Sequence, residues 1–383
     1  LRWLALILLA GAMFCSYIFM DILSPIKDLM WDTKGWDSTA FGTMQGSETF
    51  LNVFVFFLIF AGIILDKMGV RFTAILSGAV MLVGATINWY ALTDMFAGSN
   101  LEVWFNEHLN YIPGFDELGV SPFYKGMPAS AKFSAIGFMI FGCGVEMAGI
   151  TVSRGIVKWF KGREMALAMG SEMALARLGV ATCMIFSPMF ARLGGEVSVS
   201  RSVAFGVVLL MIALIMFIVY AFMDKKLDSQ TGEAEEKDDP FKLSDLGKIL
   251  TDSGFWLVAL LCVLYYSAIF PFQKYAVNML QCNLVFHQVD PSSIWASNTI
   301  TIIQYVIMLV VAACAFASNF SKNKVAKYGL MGVAIVALVV FCYMGYMRQS
   351  AETVFAVFPL LAVGITPILG NYVDHKGKAA TML

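Results

Sequence analysis

Long apolar runs alternate with short charged turns along the whole chain. A helix that crosses a bilayer needs about 20 mostly apolar residues. Ten segments reach that length, at roughly 3–24, 48–66, 72–93, 132–158, 165–192, 202–223, 254–280, 294–319, 328–347 and 351–372. Lys and Arg divide unevenly between the two sets of turns. With a cytoplasmic N-terminus, the inside turns hold most of them, from Lys67 and Arg71 through Lys158, Lys225 and Lys226 to Lys376 and Lys378. The outside turns hold Lys27, Lys34, Lys125, Lys132, Arg192, Arg201 and Arg348. Cytoplasmic loops carry the excess of cations, so the pattern predicts an N-terminus inside.

Two stretches interrupt the rhythm. Residues 224–253 begin with a run of charges and read as a solvated cytoplasmic linker. From Pro240 onward, Phe241, Leu246, Ile249 and Leu250 fit one side of a short helix at the membrane surface. The linker divides the chain into an N-terminal six-helix bundle at 1–223 and a partial second bundle at 254–383. The other long stretch, 94–131, lies outside and is rich in aromatics and acids. It reads as a solvated connection, with a lid or partner surface as the alternative.

Composition agrees with a membrane solvent. The 383 residues are 59% apolar and 14% charged, with mean hydropathy +0.75. A soluble domain is usually about 25% charged. The net charge of −1 gives no basic field for nucleic acid. The seven cysteines lack any CxxC pair and read as small buried hydrophobes, and the three histidines are far apart, so no metal is expected. No nucleophile–base pair or phosphate loop suggests an enzyme. The sequence starts at Leu1 and stops at Leu383, shortly after a charged turn, and reads as a piece of a longer chain.

That charged turn occurs twice. Gly62, Asp66, Gly69 and Arg71 form one copy, and Gly370, Asp374, Gly377 and Lys378 form the other. Each follows an apolar segment, as expected for a duplicated carrier. The Asp carboxylate suits a helix N-terminus or an Arg across an interface, and is expected to hold the inner side closed.

Ionisable groups inside spans cost energy unless paired or hydrated. Five are singled out: Asp21, Glu146, Arg154, Arg177 and Lys274. Glu146 lies 13 residues before Trp159, and Arg177 lies 13 residues after Glu164, so both stand at one depth on antiparallel helices. A level acid and base suit the two ends of a zwitterion; the alternative is an ion pair that locks the two helices. Asp21, with Tyr17 one turn earlier, reads either as part of the same wall or as a hydrated cap for a helix starting at Pro25. Arg154 is near enough to the inner surface to snorkel, or to pair with Asp66 when the inner side closes. Lys274 is read as snorkelling outward, with a substrate-carboxylate role as the alternative. Tyr265, Tyr266 and Phe270 precede Pro271, which bends its helix, and complete the expected wall beside core packing.

The paired charged turns and the six-plus-linker-plus-six plan resemble the major facilitator superfamily across nearly the whole chain. Within it, several stretches are similar to the branch of lysosomal dipeptide transporters and their bacterial relatives: 2–28, FGCGVEM at 141–147, 159–179, 255–272 and TPILGNYVDHKGK at 366–378. The resemblance implies that Glu146 holds a peptide's amino end and Arg177 its carboxylate. One departure is an inserted helix hairpin at about 285–350, expected to pack outside the bundles.

The expected fold is therefore an all-α polytopic membrane protein of the major facilitator type. The expected function is alternating-access transport of dipeptides or other small zwitterions by a monomer in a bacterial cytoplasmic (inner) membrane. No cofactor is expected; Glu146 carrying a proton and simple facilitation both stand open. The rival readings are an exporter of hydrophobic drugs and a non-transporting membrane sensor.

Overall fold

A computed structural model describes residues 1–110, 123–161, 164–231, 247, 249–287, 289–290, 292–321 and 323–376, with side chains excepted at 229–231 and 374–376. The described residues contain no strand. The helices are α1 (Arg2–Met20), α2 (Lys27–Lys34), α3 (Ser38–Phe54), α4 (Phe57–Ala91), α5 (Asn100–His108), α6 (Ala129–Phe160), α7 (Met165–Ala191), α8 (Val199–Thr231), α9 (Ser253–Asn283), α10 (Asn298–Ser318), α11 (Lys324–Met347) and α12 (Ala351–Lys376). Nine helical segments among the described residues are long and apolar enough to cross a membrane.

Nine of the ten expected spans appear much as drawn, and the other is rearranged. The segment 48–66 is not one helix. Its first part belongs to α3, which starts at Ser38 because Asp37 caps it: the Asp37 carboxylate accepts from the Ala40 amide at 2.6 Å. At Phe56 the backbone turns left-handed, with φ 55°, and α3 ends. The remainder is the first part of α4, which comprises two helices, 57–68 and 70–91, that meet at a kink where Gly69 adopts φ 78°. A positive φ costs little at Gly, so the charged turn stands at the junction between two helices. A hydropathy window misses the start of α3 because Gln45, Ser47 and Glu48 are polar yet buried against the bundle.

The first bundle is built from α1, α3, α4, α6, α7 and α8, with α4 on α6 as its most extensive contact. Small residues allow this closeness: a Cβ on Gly137 would stand 2.7 Å from the Asn88 amide nitrogen. In the second half, α12 packs along α7, and α10 and α11 pack mainly on each other. A Cβ on Gly370 would come 2.5 Å from the Ala166 carbonyl, so the first glycine of the second charged turn sits where α12 meets α7. Helix α9 touches the first bundle through its last third, where Gln273, Lys274, Ala276 and Val277 are buried.

Other expectations change in detail. Stretch 94–131 contains α5, capped by Ser99 and Glu102 and held to α6 by Phe105 against Phe133. Cys262, Cys282 and Cys342, expected to be buried, stand exposed on helix faces; an apolar run does not reveal which face packs on protein. Most of the linker, with Phe241 and Leu246, lies outside the described residues, and Ile249 and Leu250 are exposed.

Candidate functional site: charged groups around Tyr17

Tyr17 and Asp21 are one turn apart on α1 and so share a face. Helix α7 approaches that face closely because residue 179 is Gly: a Cβ there would lie 2.5 Å from the Phe14 carbonyl and 3.4 Å from the Tyr17 Cβ. The approach brings four charged side chains within electrostatic reach of the Tyr17 hydroxyl: Glu172 and Arg177 from α7, Glu146 from α6 and Glu48 from α3. Glu172 and Glu48 are buried, whereas Glu146 and Arg177 are partly exposed.

Glu146 and Arg177 thus both lie within electrostatic reach of Tyr17, but no ion pair joins them among the described residues. The Arg177 guanidinium instead reaches the Gln273 carbonyl oxygen on α9 at 3.4 Å. Gln273 in turn donates to Asp21 at 2.6 Å. A polar chain therefore runs from α7 through α9 to α1, linking the two halves of the molecule. Sequence reasoning passed over Glu48 and Glu172. Gln45, Glu48 and Asn52, at helical spacing on α3, were the available signal for Glu48.

Asp21 is not hydrated near a surface; its side chain is fully buried. The turn Ser24–Ile26 takes no side-chain cap. Instead Asp21 meets the Lys274 ammonium at 2.9 Å, with Glu48 3.8 Å from the same nitrogen. Lys274 also donates to the Met20 carbonyl at 2.7 Å. It does not snorkel outward, because α9 lies against the end of α1 and offers it a carboxylate and a carbonyl within the protein.

The rest of the expected wall makes ring contacts within its own stretch of α9. Tyr265 and Tyr266 are exposed, and the stacking partner of Tyr266 is Phe270. This stretch of α9 has few neighbours in the described chain.

At the opposite end of the bundle, the Arg2 end, Asp66 accepts from Arg154 at 2.5 Å. Arg71 reaches Asp228 at 3.2 Å and Asp224 at 3.8 Å, and Lys158 joins both acids at 2.9 and 2.8 Å. Trp159 donates its ring N–H to Asp224 at 3.0 Å. The first charged turn is therefore the core of an ionic network tying α4, α6 and α8 together. A Cβ on Gly62 would meet nothing within 4 Å. In the second copy the Asp374 backbone lies in α12, while its side chain, Gly377 and Lys378 lie outside the described residues. A separate cleft of about 840 Å³ opens at the Lys27 end, lined by Arg192, His287, Gln304, Arg348 and Glu352 among others.

Comparison with known proteins agrees with this architecture. The chain is 24% identical over 280 residues to the lysosomal dipeptide transporter MFSD1 of Homo sapiens, covering 71% of this chain and 52% of that protein. It is 29% identical over 145 residues to the Gallus gallus protein of the same name, covering 36% of this chain and 32% of that protein. The chain thus spans about half the length, or less, of the curated relatives it matches. Among solved structures, the xylose transporter XylE from E. coli aligns with a TM-score of 0.48 at 10% identity, over 98% of this chain and 99% of that one. The family model of the Major Facilitator Superfamily matches residues 9–381. With its membrane-length helices, this integral membrane protein belongs to the major facilitator superfamily.

Proposed function

We propose that this protein carries dipeptides or similarly small zwitterions across a membrane by alternating access between its two helix bundles. One observation carries the reading: Glu146 and Arg177 both act electrostatically on Tyr17, and no ion pair joins the two among the described residues. A guanidinium presents a planar fork that suits a carboxylate. A partly buried glutamate suits an ammonium, and both contacts strengthen as water leaves the site. Arg177 would take the peptide carboxylate and Glu146 the amino end, with Tyr17 beside them.

Transport also needs movement, and Arg177 already touches α9 through Gln273. A substrate that draws Arg177 inward competes with that contact and so reports its presence to the second bundle. At the Arg2 end, read as cytoplasmic, the pairs Asp66–Arg154 and Arg71–Asp228 would hold the closed state. The dipeptide transporters among the relatives support the substrate class. An exporter of hydrophobic drugs would call for an apolar chamber. The short loops favour a bacterial cytoplasmic membrane.

The test is uptake by protein reconstituted in liposomes. A labelled dipeptide is compared with a single amino acid and with a cationic dye. Saturable dipeptide uptake that exceeds both is expected. Dye uptake alone, or no peptide uptake by folded protein, refutes the assignment.

A further inference from the structure

The cluster at the Lys27 end contains more acid than base. Asp21 and Glu48 share one cation, Lys274, and the three side chains are 0, 5 and 10% exposed. They come from α1, α3 and α9, so the cluster bridges the two halves of the molecule.

The two acids are served unequally. Asp21 has the ammonium at 2.9 Å, the Gln273 amide at 2.6 Å and the Ser24 hydroxyl at 3.5 Å. Glu48 has the ammonium at 3.8 Å from one oxygen, and its other oxygen, Oε1, is buried without a hydrogen-bond partner. Gln45 and Asn52, on the same face of α3, also bury side-chain oxygens without partners. Three acceptors along one face, with no donor to serve them, create a demand for a donor. A buried anion without donors is unstable. A proton on Glu48 removes the surplus charge and converts one acceptor into a donor.

We propose that Glu48 is a proton-binding site that controls a latch between the bundles at the Lys27 end. The latch is the contact of α9 with α1 to α3. Lys274 holds Asp21 and the Met20 carbonyl, Tyr275 donates to the Ser38 carbonyl at 3.1 Å, and Asn278 donates to Asp28 at 2.8 Å. With Glu48 protonated the cluster is neutral and the latch stays shut. With Glu48 ionised the dry cluster carries a net negative charge, which water relieves by entering as the latch opens. The charged and titratable groups facing Glu48 are Lys274 on α9, Asp21 and Tyr17 on α1 and Glu146 on α6, with Cys183 on α7 beside Lys274. A metal cation is the less suitable occupant because the Lys274 ammonium already stands beside this carboxylate.

Two readouts test the proposal on the whole protein in lipid nanodiscs. Infrared difference spectroscopy through a pH titration should show a protonated carboxyl band that disappears in Glu48→Gln. In Asp21→Asn, where Lys274 serves Glu48 alone, the band should move to lower pH. Pulsed electron resonance between spin labels at Trp31 and Leu284, both exposed, reads the latch. The separation should lengthen as pH rises in the parent and stay short at every pH in Glu48→Gln. Glu48→Gln keeps the Asp21–Lys274 pair and so leaves the fold intact. A band indifferent to Glu48→Gln, or a separation indifferent to pH, overturns the proposal. A separation that follows sodium at fixed pH, without the band, overturns it in favour of a metal cation. The inference takes from the proposed function only the relative movement of the bundles. Neither readout uses a substrate, so a failed peptide assay and a failed titration are separate results.

Discussion

Replacing Lys274 by Met removes the cation from the cluster and leaves most of its bulk. Asp21 loses a contact at 2.9 Å and the Met20 carbonyl loses one at 2.7 Å. Asp21, fully buried, keeps only Gln273 and Ser24. Glu48 loses its nearest positive charge. Breaking a buried pair from one side typically costs about 3–5 kcal/mol, because the surviving charge cannot reach water. Removing both charges costs far less, and Lys274→Met with Asp21→Asn should recover about 2–3 kcal/mol of the single-mutant loss. Melting of the purified protein in detergent gives the ranking. The single variant should melt on the order of 5–10 °C below the parent, with the double variant in between. A double variant no more stable than Lys274→Met would refute the reasoning, since the two changes would then be independent.

Three further outcomes follow from the geometry. Asp66→Asn breaks a half-exposed pair with Arg154 and should cost only about 0–1 kcal/mol of stability, while cysteine labelling beside it should rise as the Arg2 end opens more often. Asp224→Asn weakens contacts to Lys158 and Trp159 from a fully buried carboxylate; a loss of about 2–4 kcal/mol is expected, and an unchanged melting temperature would count against the network. Gly142→Ala places a Cβ on the Glu48 carbonyl, where the backbone of α3 cannot yield cheaply; a destabilisation of about 1–3 kcal/mol is expected, with α3 protection from hydrogen exchange reduced.

Hydropathy located α6 through α12 because each carries an apolar run long enough to cross a membrane, whichever side it packs on. The same measure failed on α3, whose first half is polar and faces protein, so a helix beginning at Ser38 was displaced to residue 48. An acid and a base at matched depth on neighbouring helices, Glu146 and Arg177, could be picked out from the helical rise alone, and their assigned roles stand as a proposal. The contact of Arg177 with Gln273 was not legible, since it needs α9 packed beside α7. Lys274 shows the same limit. From sequence it stands near a membrane boundary, where a lysine can reach water, and only packing of α9 against α1 turns it inward. The repeated glycine–aspartate turn was readable as a motif, and its first copy sits in the ionic network with Arg154, Lys158 and Asp224.

The central claim, that Glu146 and Arg177 hold opposite ends of one zwitterion, is tested most directly by pairing blocked peptides with the two variants. Binding of a free dipeptide, its N-acetyl form and its C-terminal amide would be measured by calorimetry for the parent, Glu146→Gln and Arg177→Ala. Acetylation should weaken binding to the parent by about 10–100-fold, as expected for loss of a charge-assisted contact worth about 1.5–3 kcal/mol, and should cost Glu146→Gln almost nothing further. Amidation should behave in the same way toward Arg177→Ala. If each block costs the same in every variant, neither residue touches the end assigned to it, and the account is contradicted.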